Sequence, residues 1–192
     1  MTEPGAELLD NERAARFEAM FDRYAGRVYA YAARRSTPDA ANETVGETFL
    51  IAWRRLDVVP DNALPWLLNV AGKVLANRRR SDQRREAFTT ERARALQASP
   101  GFDPADAVST RLAIERALDR LPPAEREALT LVAWDGLDVR AGAAAAGCSR
   151  ATFSVRLHRG RRRLMKELGL SRHSKTKASP GPGVPAKEAR ST

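Results

Sequence analysis

The chain has 192 residues but one cysteine, Cys148, and two histidines, His158 and His173. A single thiol excludes an intrachain disulfide and any zinc site built on the cysteines of one chain. No carboxylate or cysteine cluster at metal-ligand spacing accompanies either histidine, so neither a metal nor a cofactor is expected. A P-loop, a Gly-rich dinucleotide fingerprint after a strand and a nucleophile elbow are all missing, which argues against an enzyme. No stretch approaches the roughly 18 apolar residues of a membrane span, and membrane insertion is not expected. The opening MTEPGAELLDNERAARF has no basic then apolar run of the signal-peptide kind. Cytoplasmic location is the expectation these features share.

What is present is positive charge. Lys and Arg number 33 against 24 Asp and Glu, a formal net charge of +9. An excess of that size favours a polyanionic partner, because each phosphate contact releases condensed counterions.

Apolar periodicity is helical throughout, so the fold class read from the sequence is all-α, two small helical domains on a flexible linker. Phe17, Met20, Phe21, Tyr24, Val28 and Tyr31 mark one face of a helix over about 12–35, after a frayed segment 1–11. Ser36-Thr37-Pro38 stops it, and Asp39 can cap a second helix over about 40–56 with Ala41, Val45, Phe49, Ala52 and Leu56 on one stripe. A loop at 57–62 precedes a third helix to about Arg85, with Leu67, Val70, Ala71, Val74 and Leu75 inward. These give a first domain at 12–85. Polar, turn-forming residues make 86–104 a linker. A second domain at 105–170 begins with Val108, Leu112, Ala117, Leu118 and Leu121 on one face. The Pro-, Gly-, Ser- and Lys-rich segment 171–192 reads as a disordered basic tail.

Residues 121–164 carry the strongest signal. An amphipathic helix from Pro123 ends at Asp135-Gly136, and a short Ala-rich helix ends at Gly147. Ser149 then caps a helix whose Phe153, Leu157 and Leu164 face inward. This is the order of a helix-turn-helix, which sets its second helix in the DNA major groove. Ser154, Val155, His158 and Arg159 fall where base edges are reached. Thr152, Arg156, Arg161 and Arg162 suit phosphates.

Two further constellations lie in the first domain. Glu43 and Glu47 are one helical turn apart, near Phe49 and Trp53. They fit either a docking face for a positively charged protein or ordinary surface charge balancing Arg54 and Arg55. Trp66 begins a helix that continues through Lys73 and Asn77 into Arg78, Arg79, Arg80, Arg84 and Arg85. An aromatic and amides ahead of an arginine run suit single-stranded or melted nucleic acid. Trp66 fits equally well as a core residue.

The segments GETFLIAW (46–53), PWLLNVA (65–71), RLPPAEREALTL (120–131) and GCSRATFSVRLHRGRRRL (147–164) resemble, in order and spacing, the extracytoplasmic-function (ECF) sigma factors of bacterial RNA polymerase. The resemblance covers about 17–85, the family's region 2, and 105–168, its region 4. It implies a promoter-specificity subunit whose partners are core RNA polymerase, promoter DNA and a regulatory anti-sigma factor. Region 2 would bind the clamp helices of the largest polymerase subunit and open the −10 element. Region 4 would dock on the β flap and read the −35 element. By position, Glu43, Glu47, Phe49 and Trp53 lie in the polymerase-contacting segment. Trp66, Lys73, Asn77, Arg78, Arg79, Arg80 and Arg84, with the 57–64 loop, lie toward the −10 strand. Arg150, Thr152, Ser154, Val155, Arg156, His158, Arg159 and Arg162 lie toward −35 DNA.

The chain departs from the family pattern at four places. Gly46 interrupts the acidic-Leu-Val-Gln run, and Gly72-Lys73 replaces an Arg-Asn pair. Ala141-Gly142-Ala143 stands where Glu-Ile-Ala is usual, leaving little apolar volume, and Ser154 replaces a basic residue. The competing reading is a stand-alone helix-turn-helix regulator whose first domain dimerises or senses a signal.

Overall fold

A computed structural model describes residues 4–88 and 105–170, with side chains described over 11–84 and 112–170. Residues 89–104 of the expected linker and the whole expected tail, 171–192, lie outside the described residues. The helices are α1 (Pro4–Ala33), α2 (Pro38–Arg54), α3 (Ala63–Phe88), α4 (Ala105–Asp119), α5 (Pro123–Ala133), α6 (Val139–Ala145) and α7 (Arg150–Glu167). A 3-10 turn spans Leu56–Val58. Among the described residues there is no strand, as the periodicity predicts.

Helices α1 to α3 pack on one another around Tyr24, Val28, Phe49, Leu67 and Leu68, all buried. The α1 face follows the predicted spacing through Met20, Tyr24, Val28 and Tyr31. Phe21 departs from it and is 41% exposed, because one residue beyond Met20 is about 100° round the helix. The helix also starts at Pro4, so the frayed end expected over 1–11 is helical from that residue onward. Proline costs nothing in a first turn, where its missing N–H has no partner to lose.

The start of α2 differs from expectation. Thr37, not Asp39, is the N-cap, its hydroxyl accepting from the Ala40 N–H, and Pro38 is the first helical residue. Asp39 instead sits in the first turn, where a negative charge favours the helix dipole. Two arginines of α1 secure the other end of α2. Arg13 donates to the Trp53 carbonyl at 2.8 Å and Arg16 to the Val59 carbonyl at 2.7 Å. Each satisfies an acceptor that the chain leaves open as it exits the helix.

Helices α5, α6 and α7 pack around Leu129, Leu131, Phe153 and Leu157. From α4, Ala117 and Leu118 join this core, with Leu121 after them, while Leu112, expected inward, is 44% exposed. The two units do not stand apart. Helix α3 lies against α6, and the buried side chains of both units form one continuous cluster.

Polar contacts edge this junction. The Tyr31 hydroxyl donates to Glu127 at 2.9 Å, and Arg35 donates to the same carboxylate at 2.8 Å and to the Thr130 hydroxyl at 3.0 Å. Arg34 pairs with Asp135 at 2.5 Å, and Arg27 donates to the Asp135 carbonyl. Burial and the nearby Glu127 charge both raise the Tyr31 pKa, so the phenol stays protonated and able to donate.

Candidate nucleic-acid interface

The helix-turn-helix is built by local rules. Gly136, with φ of 64°, reverses the chain after α5, and Asp138 caps α6 by accepting from the Ala141 N–H at 2.7 Å. After α6, Gly147 at φ of 61° adopts the left-handed conformation, and the Cys148 N–H reaches back to the Ala143 carbonyl at 3.0 Å. This closes the helix in the manner glycine favours at that position. Ser149 then caps α7, its hydroxyl accepting from the Thr152 N–H at 3.1 Å, as the sequence predicts.

Helix α7 divides cleanly into two faces. Phe153, Leu157 and Gly160 are buried, with Leu164 half-buried behind them. Arg150, Thr152, Ser154, Val155, His158, Arg159, Arg161 and Arg162 are exposed, and Arg156 is half-buried. No ion pair ties Arg156, Arg159, Arg161 or Arg162 to an acidic side chain among the described residues, which leaves their charges available to phosphate. Arg163 differs, since it lies 3.4 Å from the buried Glu125. At Gly160 a Cβ would come within 3.0 Å of the Glu125 carbonyl, so glycine permits the close approach of α7 to α5.

The basic stretch of α3 is less uniform. Lys73, Asn77, Arg79, Arg80 and Arg84 are exposed, whereas Trp66 is half-buried against the core. Arg79 donates to the Arg35 carbonyl at 2.6 Å. Arg78 pairs with both Glu43 and Glu47 across the α2–α3 groove. Hydrogen bonds to Glu43 and then to Glu47 raise its pKa further. The acidic pair is therefore balanced by Arg78, not by Arg54 and Arg55, and Arg78 is committed to protein contacts in this state.

Of the residues expected at the polymerase contact, Phe49 is buried and supports the face from beneath. Trp53 is 38% exposed and closes a shallow apolar groove between α1 and α2 with Phe17, Phe21, Gly46 and Leu50. The aromatic rings meet edge to face, Phe17 and Trp53 at 5.1 Å and Phe21 and Phe49 at 4.8 Å between centroids. No atom lies within 4 Å of where a Gly46 Cβ would be, so that glycine widens the groove without serving packing. Phe21 and Leu50 belong to this surface, although the apolar spacing of α1 puts Phe21 on the inward face. The groove depends on how α1 and α2 pack on each other, which the apolar spacing along either helix alone does not reveal.

Residues 111–164 match the family described as sigma-70, region 4. The ECF RNA polymerase sigma factor SigL of Mycobacterium tuberculosis is 32% identical over 169 residues, covering 83% of this chain and 94% of that protein. The ECF RNA polymerase sigma factor SigK of Mycolicibacterium vanbaalenii is 32% identical over 168 residues, covering 82% and 84%. Alignments of that length take in both helical units, which a stand-alone helix-turn-helix regulator leaves unexplained. Among solved structures, the sigma factor RpoE from Bartonella quintana, in complex with the anti-sigma factor NepR, has the same fold. Its TM-score is 0.63 at 23% identity, covering 81% of this chain and 98% of that one.

Proposed function

Since the chain belongs to the extracytoplasmic-function group of RNA polymerase sigma factors, we propose that its two helical units divide promoter recognition between them. The α4–α7 unit reads the −35 element with α7 in the major groove. Ser154, Val155, His158 and Arg159 face base edges, while Arg150, Thr152, Arg156 and Arg162 hold phosphates. The α1–α3 unit takes the melted −10 strand along Lys73, Asn77, Arg79, Arg80 and Arg84, with Trp66 behind them. Here a cation at Lys73 offers charge where the family carries an amide, so backbone attraction replaces part of the base readout.

Core polymerase is bound through the α1–α2 face. Trp53 and Leu50 supply an apolar anchor, Phe49 supports it, and Glu43 and Glu47 give acidic complementarity to a basic surface. The clamp helices of the largest subunit are the proposed partner there, and the β flap is the partner of the α4–α7 unit. A further partner of the anti-sigma kind is proposed, as NepR is for the RpoE relative.

One observation carries the reading: an exposed basic helix, whose Arg156, Arg159, Arg161 and Arg162 make no ion pair among the described residues, sits on a helix-turn-helix and accompanies a second basic helix in another unit of the same chain. Reconstitution with core RNA polymerase on a promoter library tests it. Initiation from promoters sharing two spaced motifs is expected. Sequence-specific binding by the chain alone, with no initiation when polymerase is added, would overturn it.

A further inference from the structure

Val155 stands out on the face of α7 that is turned away from the core. Its side chain is 48% exposed, and it joins neither the buried cluster nor the half-buried residues packed against that cluster. Ahead of Leu164 it is the one large apolar side chain that α7 exposes. A β-branched residue is also slightly worse than alanine or a straight-chain residue for forming a helix. Neither packing nor helix propensity accounts for a valine at this position.

The surroundings of Val155 indicate what would cover it. Ala151, Val155 and Arg159 succeed one another four residues apart, and all three are exposed. They form one row along the outward face, about 12 Å from end to end. Thr152 and His158, three residues to either side of Val155, flank the row and are exposed as well. The row is apolar at one end and cationic at the other, within a strongly basic helix. A protein-binding patch would spread over a wider apolar area than two neighbouring side chains. This face suits a partner that is anionic overall and apolar at one point.

The DNA major groove is such a partner. Base edges there present donors and acceptors at every pair but a single kind of apolar group, the C5 methyl of thymine. Guanine presents O6 and N7 to a guanidinium in the same groove. Val155 and Arg159 are about 6 Å apart along the helix axis, and successive base pairs lie about 3.4 Å apart. The two side chains therefore reach pairs no more than two steps from one another.

We propose that Val155 reads a thymine through its 5-methyl group, and that this thymine lies within two base pairs of a guanine contacted by Arg159. Ala151 extends the apolar contact on the side away from the guanine. The proposal rests on the reading of α7 as the −35 recognition helix, and it gives a chemical identity to two of the bases read. Discrimination of this kind is modest, since one methyl taken out of water is worth roughly three- to fivefold in affinity.

Deoxyuridine, which differs from thymidine by the missing methyl alone, tests the contact. Holoenzyme reconstituted from the full chain and core RNA polymerase first selects promoters from a pool randomised at −35. Each thymine of the selected element, on either strand, is then replaced singly by deoxyuridine and holoenzyme binding is measured. One replacement is expected to weaken wild type roughly three- to fivefold. The V155S variant should bind the thymine and deoxyuridine duplexes alike, and V155T, which keeps one methyl, should fall between. R159A should retain the deoxyuridine effect while losing sensitivity to 7-deazaguanine at the nearby guanine. A selected −35 motif in which no deoxyuridine matters, or a V155S variant that keeps the wild-type effect, overturns the methyl contact and leaves the −35 role of α7 standing. A pool that yields no −35 motif at all overturns the underlying reading, and the contact with it.

Discussion

The ring of Phe153 occupies the space that a side chain at residue 142 would need. A Cβ on Gly142 would lie 2.7 Å from the Phe153 Cε1, and Phe153 is fully buried. The small Ala141-Gly142-Ala143 helix, which looks underfilled in sequence, is thus matched by a large residue from α7. Volume has moved from one helix of the motif to the other.

It follows that Gly142→Val should destabilise the chain by roughly 1–3 kcal/mol, the usual cost of overpacking a filled core. Better helix propensity offsets at most about 1 kcal/mol of this. Denaturant unfolding checks it, and Gly142→Val combined with Phe153→Ala should recover part of the loss. A midpoint at or above wild type for the single variant contradicts the shared-space account.

Ser149→Ala removes the hydroxyl that caps α7 and should lower stability by about 1 kcal/mol. Because the reading residues lie in the amino-terminal half of that helix, −35 binding should weaken too. Thermal unfolding and a −35 duplex titration measure the two effects. Ser149→Asp, which keeps an acceptor, should restore stability.

Arg159→Ala and Arg162→Ala separate base contact from phosphate contact. The first should relax discrimination at one or two base positions, at a cost of about 1–3 kcal/mol for the preferred base. The second should weaken all sequences alike and reduce the salt dependence of log K by roughly one. A salt series on two duplexes that differ only in the −35 sequence reads both. Identical profiles for the two variants would remove the assignment.

Arg78 gives a test of opposite signs. Its guanidinium sits between Glu43 and Glu47, so Arg78→Ala frees both carboxylates. If they meet a basic polymerase surface, core affinity should hold or rise in Arg78→Ala and fall in Glu43→Lys/Glu47→Lys. Titration of labelled protein with core enzyme distinguishes them. Equal losses in both would show that the intact ion-pair cluster, not freed carboxylates, is what the contact needs.

Leu50 is 49% exposed at the edge of the aromatic groove. Leu50→Asp should leave the unfolding midpoint within about 0.5 kcal/mol of wild type, as surface changes do. It should reduce core affinity at least tenfold, as loss of an interface anchor does. An unchanged core titration would remove the groove from the polymerase contact.

The features legible in the sequence were local. The Ser149 cap, the turns at Gly136 and Gly147 and the inward set Phe153 and Leu157 depend on neighbours within a few residues, and helical spacing reveals them. A cap at Asp39 falls two residues late, because Thr-Pro and Pro-Asp both make plausible helix starts. What escaped was non-local. Arg34 and Asp135 each look like surface charge until the fold brings them together, about a hundred positions apart in the chain. The same holds for Gly142 and Phe153, and for Arg78 with its two glutamates, where only tertiary packing decides which charges are spent inside the protein.

On α7 the residues that fold the motif and those proposed to read DNA are disjoint. Phe153, Leu157 and Gly160 meet the interior, while Ser154, Val155, His158 and Arg159 touch none of it. A lineage can therefore retarget this chain to a different set of genes by changing a few outward residues, without solving its folding problem again. The reverse does not hold, since any change at Gly142 or Gly160 tilts the platform on which every reading residue stands.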